Sequence, residues 1–182
     1  MTEVPGSERV LIVLRHAKSS WSTGLPDHER PLSPRGRRDG VAVGEWLTAQ
    51  GLVPDRALVS TSERTRQTLA RVLAGGAEIG PVEFLRDIYD ADAHDLLRLV
   101  QATDNAVHTV LLIGHNPTLE EFVHLLARRV GNREWWASMD AKFPTSAVAV
   151  IGFDGDWTDV EPGVGALLNY AVPRGMPERS RT

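Results

Sequence analysis

Arg9-Val10-Leu11-Ile12-Val13-Leu14-Arg15 decides the fold class. Its apolar residues form an unbroken run rather than an alternation, which reads as a short strand covered on both faces, as in a parallel sheet. Working outward, Thr109-Val110-Leu111-Leu112-Ile113 repeats the pattern. Ala57–Ser60 and Val82–Leu85 are shorter strands of the same kind, and Ala147–Phe153 is a fifth. After the Asp154-Gly155-Asp156 turn, Ala166–Val172 reads as a last strand, antiparallel at an edge. Helical spacing fills the gaps. Ser33-Pro34 opens a helix that Gly51 closes, and Ser62 opens one that runs to Gly75-Gly76. Asp92–Ala102 is a third, and Asn116-Pro117 starts a fourth that carries Arg128 and Arg129 at its end. Strands alternating with helices predict an α/β fold: a three-layer α/β/α sandwich with a mostly parallel sheet and one antiparallel edge strand.

The chain has 182 residues, which fits one domain at roughly 150 residues per domain. We expect a single domain over 9–173, with flexible tails at 1–8 and 174–182. Lys and Arg number 20 and Asp and Glu 24, so the net charge is 20 − 24 = −4. That balance argues against broad nucleic-acid binding, which needs a basic stripe. There is no cysteine, so disulfides, a thiolate nucleophile and cysteine-based zinc sites are excluded. No apolar run reaches the roughly 18 residues of a membrane helix. Met1–Glu8 lacks the basic-then-apolar order of a signal peptide, so the expected location is the cytoplasm.

In open α/β sheets, ligands bind outside the carboxyl ends of the strands. The first strand ends in Arg15-His16-Ala17-Lys18-Ser19-Ser20. The second ends in Ser60, with Arg64 in the first turn of the following helix, and the fourth ends in Gly114-His115-Asn116. Two arginines and two histidines therefore converge on one rim. An arginine fork binds two phosphate oxygens at once, and helix N-termini add N–H donors. A neutral imidazole can attack phosphorus and form a covalent intermediate. Nearby positive charge keeps that imidazole neutral and offsets charge on the transition state. Taken singly, each residue has a plainer reading: a surface ion pair, a solvated helix arginine, a turn with a packed histidine. Their convergence is what favours chemistry. The histidines His28, His94, His108 and His124 form no metal-binding pair, so no metal site and no cofactor are expected. Trp135-Trp136 is expected to pack beneath a loop, and Trp21 either flanks the substrate or covers the core.

The chain resembles the histidine phosphatase superfamily, whose fold is the phosphoglycerate mutase-like one. It looks most like the SixA-type phosphohistidine phosphatases. The residues that carry the likeness are Leu14-Arg15-His16-Ala17-Lys18-Ser19-Ser20-Trp21, then Asp27-His28-Glu29-Arg30-Pro31-Leu32-Ser33-Pro34-Arg35-Gly36. Ser60 to Thr68 and Gly114-His115-Asn116-Pro117-Thr118 follow in family order. The resemblance implies that His16 is the phosphorylated nucleophile and that Arg15, Arg64 and His115 bind the transferred group. By proximity, Asn116 and Ser20 join the phosphate pocket as candidates. Two positions depart from the superfamily pattern. Ala17 stands where most members have Gly, and no glutamate general acid follows the third strand. Asp87 is the nearest replacement, with Asp90 and Asp92 as rivals and helix capping as the alternative for all three.

An alkoxide leaving group needs a well-placed acid, worth roughly 10²–10⁴ in rate, whereas the imidazole of a phosphohistidine leaves more readily. The weak acid motif and short loops therefore point to a phosphohistidine protein as substrate. A small phosphate ester is the alternative, and a non-catalytic phosphoprotein-binding module is the rival of another class. No nucleic acid or membrane partner is expected.

Overall fold

A computed structural model describes residues 8–176. Seven strands form one sheet, with helices on both faces. In chain order the elements are β1 (Arg9–Arg15), α1 (Pro34–Ala49), β2 (Arg56–Ser60), α2 (Glu63–Ala74), β3 (Val82–Leu85), α3 (Asp87–Asp90) and α4 (Ala93–Gln101). Then follow β4 (Thr109–Gly114), α5 (Thr118–Leu126), β5 (Ala127–Arg128), α6 (Arg133–Ala141), β6 (Val148–Phe153) and β7 (Gly165–Ala171). The spatial order is β3-β2-β4-β1-β6-β7-β5.

The apolar runs behave as their composition requires. Along β1, Leu11 and Val13 enter one core while Ile12 and Leu14 enter the other. The same split divides Val110 and Leu112 of β4 from Leu111 and Ile113. Side chains alternate across a strand, so a strand with no polar face must be covered twice. Val43 and Leu47 of α1 with Leu69 and Val72 of α2 cover one side. Leu96, Leu97 and Val100 of α4, Phe122 and Leu126 of α5, and Trp136 and Met139 of α6 cover the other. The result is the expected α/β/α sandwich.

The strands β3, β2, β4 and β1 are parallel, and β1 lies beside β4 in register Arg15↔Gly114. The reversed strand is β6, which sits inside the sheet between β1 and β7 and is antiparallel to both. The sequence pattern placed the reversal one strand later and at an edge. The reason for the shift is α6, which the polar stretch around Trp135 concealed. Asn132 caps it, its side-chain oxygen accepting from Glu134 N at 2.9 Å and Trp135 N at 3.2 Å. The helix α5 carries the chain away from the strand ends, and β5 pairs with the start of β7. The helix α6 then returns it to the rim, where Arg15 N donates to Ala147 O at 3.0 Å. A chain that starts again at that rim must run antiparallel to β1. The same arrangement ends α5 at Leu126, so Arg128 lies in a strand and not in the last helical turn.

Met1–Ser7 and Pro177–Thr182 lie outside the described residues, and with them most of both expected tails. Arg174 and Gly175, expected in the flexible tail, are fastened to the body. Arg174 Nη1 donates to Asp39 Oδ2 at 3.0 Å and Gly175 N to Asp39 Oδ1 at 3.1 Å, and Asp39 is buried. A buried carboxylate needs such donors, which explains why the chain stays ordered past Val172. Among the described residues, no helix is long and apolar enough to cross a membrane.

Candidate active site

The parallel half of the sheet brings the carboxyl ends of β1, β2 and β4 to one rim, and a cavity of about 340 Å³ opens there. Arg15, His16, Arg64, His115 and Asn116 all line it, so five of the sequence candidates share one hollow. Lys18, Ser19, Trp21, Asp27, Arg30 and Thr145 complete its walls. Four cations (Arg15, Lys18, Arg30 and Arg64) thus face the single carboxylate of Asp27 among these lining residues. The cavity is built for an anion.

His16 leaves β1 with its backbone N donating to Gly114 O at 3.1 Å. Its Nδ1 lies 2.7 Å from Ala17 O. A carbonyl only accepts, so Nδ1 carries the proton and donates it. In the neutral ring, Nε2 then holds the lone pair. Ala17 is itself pinned, its N donating to Thr68 Oγ1 at 3.0 Å, and the Thr68 hydroxyl donates to Arg64 O at 2.6 Å. The loop that follows packs tightly against α1. A Cβ on Gly36 would stand 2.0 Å from Lys18 O, and Ser33 Oγ donates to that same carbonyl at 3.0 Å while capping the helix.

Burial pushes His16 well below the ordinary imidazole value, and His115, Arg64 and Arg15 add to this against the opposing Ala17 bond. His115 is pushed down to about 3 by burial and by the Arg64 cation. Both rings are therefore neutral at pH 7. Their centroids are 5.3 Å apart. His115 Nε2 lies 2.8 Å from Ser60 Oγ, and its Nδ1 is buried without a partner among the described residues. Among the described residues, Arg15 Nε and Arg64 Nε are likewise buried without partners. An unpaired buried polar atom is costly in a core and calls for a physical account.

Asp27, whose role the sequence left unread, organises the second wall. Arg64 Nη1 donates to Asp27 O at 2.6 Å and Arg64 Nη2 to Asp27 Oδ2 at 3.0 Å. Tyr89 OH donates to the same Oδ2 at 2.6 Å, and Arg30 Nε to Oδ1 at 3.1 Å. The Tyr89 bond, with Arg64 and Arg30, holds the Asp27 carboxyl at about 2, so it is ionised. Arg15 Nη1 and Asn116 Nδ2 share the carbonyl of Phe143, at 2.8 and 3.1 Å. The loop behind that carbonyl closes the end of β1: Ser146 N reaches both Arg15 O and His16 O at 3.2 Å. Ser146 does so at φ 66°, a left-handed conformation that costs a non-glycine residue of order 1 kcal/mol or more and recurs at functional sites.

Two candidates stand elsewhere. Asp87 starts α3 and lines a separate hollow with Asp90, Asp95 and Arg98. It does not line the His16 cavity, because α3 turns Tyr89 rather than Asp87 toward His115, at 5.3 Å between ring centroids. Asp90 pairs with Arg86, and Asp92 forms a capping box with Asp95. Ser20 turns away to bond Ser22 Oγ at 3.0 Å, and its neighbour Ser19 lines the cavity instead, accepting from Arg30 Nη1 at 3.0 Å. Trp136 is buried against the core with Nε1 donating to Val130 O, away from the cavity. Among the described residues, no group of three or more carboxylate or imidazole side chains is placed to hold a metal ion.

With this geometry in view, comparison with known proteins is decisive. Residues 11–151 match the family model of the histidine phosphatase superfamily, branch 1. The chain belongs to that superfamily. This histidine phosphatase is 39% identical over 162 residues to an uncharacterized protein of Mycobacterium tuberculosis, covering 88% of this chain and all of the relative. Its fold is similar to the protein assigned as phosphohistidine phosphatase SixA in Nakamurella multipartitia, with a TM-score of 0.79 and 29% identity over 91% of this chain and 96% of that one. It also matches the protein histidine phosphatase SixA solved with tungstate, with a TM-score of 0.74 and 25% identity over 90% and 97% of the two chains. The histidine phosphatase described here is thus an α/β phosphatase of the SixA type.

The sequence reading assigned no role to Asp27 and Arg30 of the cavity lining, nor to Tyr89, Thr68 and Ser146, which bond to residues of that lining or to their neighbours. The signal for the first was present: Asp27 and Arg30 stand three apart just before the helix start at Ser33, a spacing that lets one turn pair them.

Proposed function

We propose that this histidine phosphatase removes phosphate from phosphohistidine on proteins, through a covalent phosphohistidine intermediate on His16. The first step joins His16 Nε2 to phosphorus while the bond from phosphorus to the substrate nitrogen breaks. The electron pair stays on the leaving imidazole, which takes a proton from solvent. Water then attacks phosphorus, the bond to Nε2 breaks, and phosphate and a proton leave. Arg15 and Arg64 carry the charge of the equatorial oxygens, the task a metal ion performs elsewhere. His115 stands beside the nucleophile and orients the group being transferred.

The observation that carries the choice of substrate is the state of Asp27. Among the described residues it is the one carboxylate lining the cavity, and it is ionised and bonded to Tyr89 and two arginines. A carboxylate held at about 2 is a poor proton donor at neutral pH. An alkoxide leaving group suffers from that lack more than the imidazole of a phosphohistidine. The relatives named SixA support the same reading.

The test is phosphate release in EDTA from a phosphohistidine-bearing protein and from an aryl phosphate, by wild type and His16→Ala. Release that needs His16 but no metal, and that favours the phosphohistidine protein in kcat/KM, is the expected result. Equal rates for the two enzymes overturn the nucleophile assignment. Preference for the aryl ester turns the reading to a small-molecule phosphomonoesterase. No release at all from wild type turns it to a binding module.

A further inference from the structure

Trp21 stands on the wall of the His16 cavity and is 74% exposed. No other large apolar side chain so exposed among the described residues lines that cavity. An indole in water forgoes a large burial energy, so its display at this place calls for a physical account. One face of the ring is covered: the Arg30 guanidinium carbon lies 3.6 Å from the ring centroid. Arg30 is itself buried and cannot swing, because it donates to Asp27 Oδ1, Ser19 Oγ and Ser20 O. The cation therefore holds the indole plane at the mouth of the anion site while leaving its second face open.

A ring fixed in advance loses little freedom when a ligand lies on it. Aromatic rings stack in offset geometry and bury their faces together. With the phosphoryl group in the hollow, the open face of Trp21 on its wall is within reach of the group that carries it. We propose that the open face of Trp21 is the platform for a planar ring attached to the phosphoryl group, the imidazole of a phosphohistidine, and that it selects ring-bearing over ringless phosphoryl donors. This rests on the substrate reading above and adds to it a specificity-determining residue. Trp21 stacks on the leaving group and takes no part in proton or phosphoryl transfer.

The experiment compares a phosphohistidine peptide with phosphoramidate, which has the same phosphorus–nitrogen bond and no ring. The ratio of kcat/KM, peptide over phosphoramidate, falls about three- to tenfold in Trp21→Leu through KM and recovers in Trp21→Phe, as the loss of one ring stack predicts. Calorimetric binding of phenylphosphonate against methylphosphonate reads the same contact without turnover. Wild type binds the phenyl compound more tightly by a similar factor, and Trp21→Leu loses the difference. A ratio and a binding difference that do not respond to Trp21→Leu overturn the proposal, even where His16-dependent turnover is intact. A binding difference that depends on Trp21 in an enzyme without phosphohistidine turnover sustains the platform and overturns the substrate reading instead.

Discussion

Asp27 grips Arg64 at both ends of its fork: the backbone carbonyl accepts from Nη1 at 2.6 Å and the carboxylate from Nη2 at 3.0 Å. A carboxylate thus sits on the nitrogens that the phosphoryl oxygens would use. On the proposed role of Arg64, the two anions would compete for one cation. In Asp27→Asn the carbonyl and an amide oxygen remain as acceptors while the competing charge is gone. Inorganic phosphate should therefore inhibit this variant at about tenfold lower concentration, a difference of about 1.4 kcal/mol. Inhibition constants against an aryl phosphate check this, and an unchanged constant would show that Asp27 leaves the fork when an anion arrives.

Thr68 acts from a distance on His16, the proposed nucleophile. Its hydroxyl accepts from Ala17 N and donates to Arg64 O, and Ala17 O accepts from His16 Nδ1. Thr68→Val keeps the shape but orphans a buried N–H, at a cost of about 1–3 kcal/mol in stability. The peptide that orients His16 is released with it. The expected result is a fall in kcat of about ten- to a hundredfold with little change in KM, since small misplacements of a reacting group cost about that much. Thr68→Ser, which keeps the hydroxyl, restores most of it. A shift confined to KM would contradict this positioning role.

The two imidazoles give the protein an acid-side weakness. His115 is held at about 3 against an ordinary 6.5, and His16 is lowered as well. Below pH 6.5 the unfolded chain binds protons that the folded one refuses, so unfolding gains as pH falls. Stability from these groups is present above 6.5 and is lost progressively toward 3. Melting temperature should fall from pH 7 to about pH 4, and His115→Asn should flatten that slope. For His16 as the proposed nucleophile, a ring kept neutral has the opposite consequence for rate. With an aryl phosphate, kcat/KM should hold as pH falls below 6.5, where a solvated histidine would become protonated. An acid limb centred near 6.5 would show that His16 is not the group depressed by burial.

Asp87 offers a clean negative. It lines a hollow that shares no lining residue with the His16 cavity. Asp87→Asn should change kcat on either phosphohistidine or aryl phosphate by less than about twofold, as for surface changes generally. A selective loss of ester turnover would return the proton-donor role to this position.

Much of this protein was legible along the chain because its information is local. The uninterrupted apolar run Leu11–Leu14 demanded two covered faces, and Ser33-Pro34 marked a helix start that the Ser33 cap satisfies. Arg15, His16, Arg64, His115 and Asn116 could be named because strand ends in a parallel sheet share one rim. Tertiary structure decided the rest. The direction of β6 depends on α6, whose short polar sequence carries little periodic signal. Asp27 and Tyr89 lie 62 residues apart and meet only because β3 docks beside β2 and sets α3 against the rim. Asp87 was the acid nearest in sequence, yet a helical turn gives neighbouring residues opposite faces, and the face toward His115 is Tyr89's. Residue types and strand ends determined what chemistry the chain carries. The packing of distant segments determined which acid faces it, and in which charge state, because burial and pairing are properties of the folded whole.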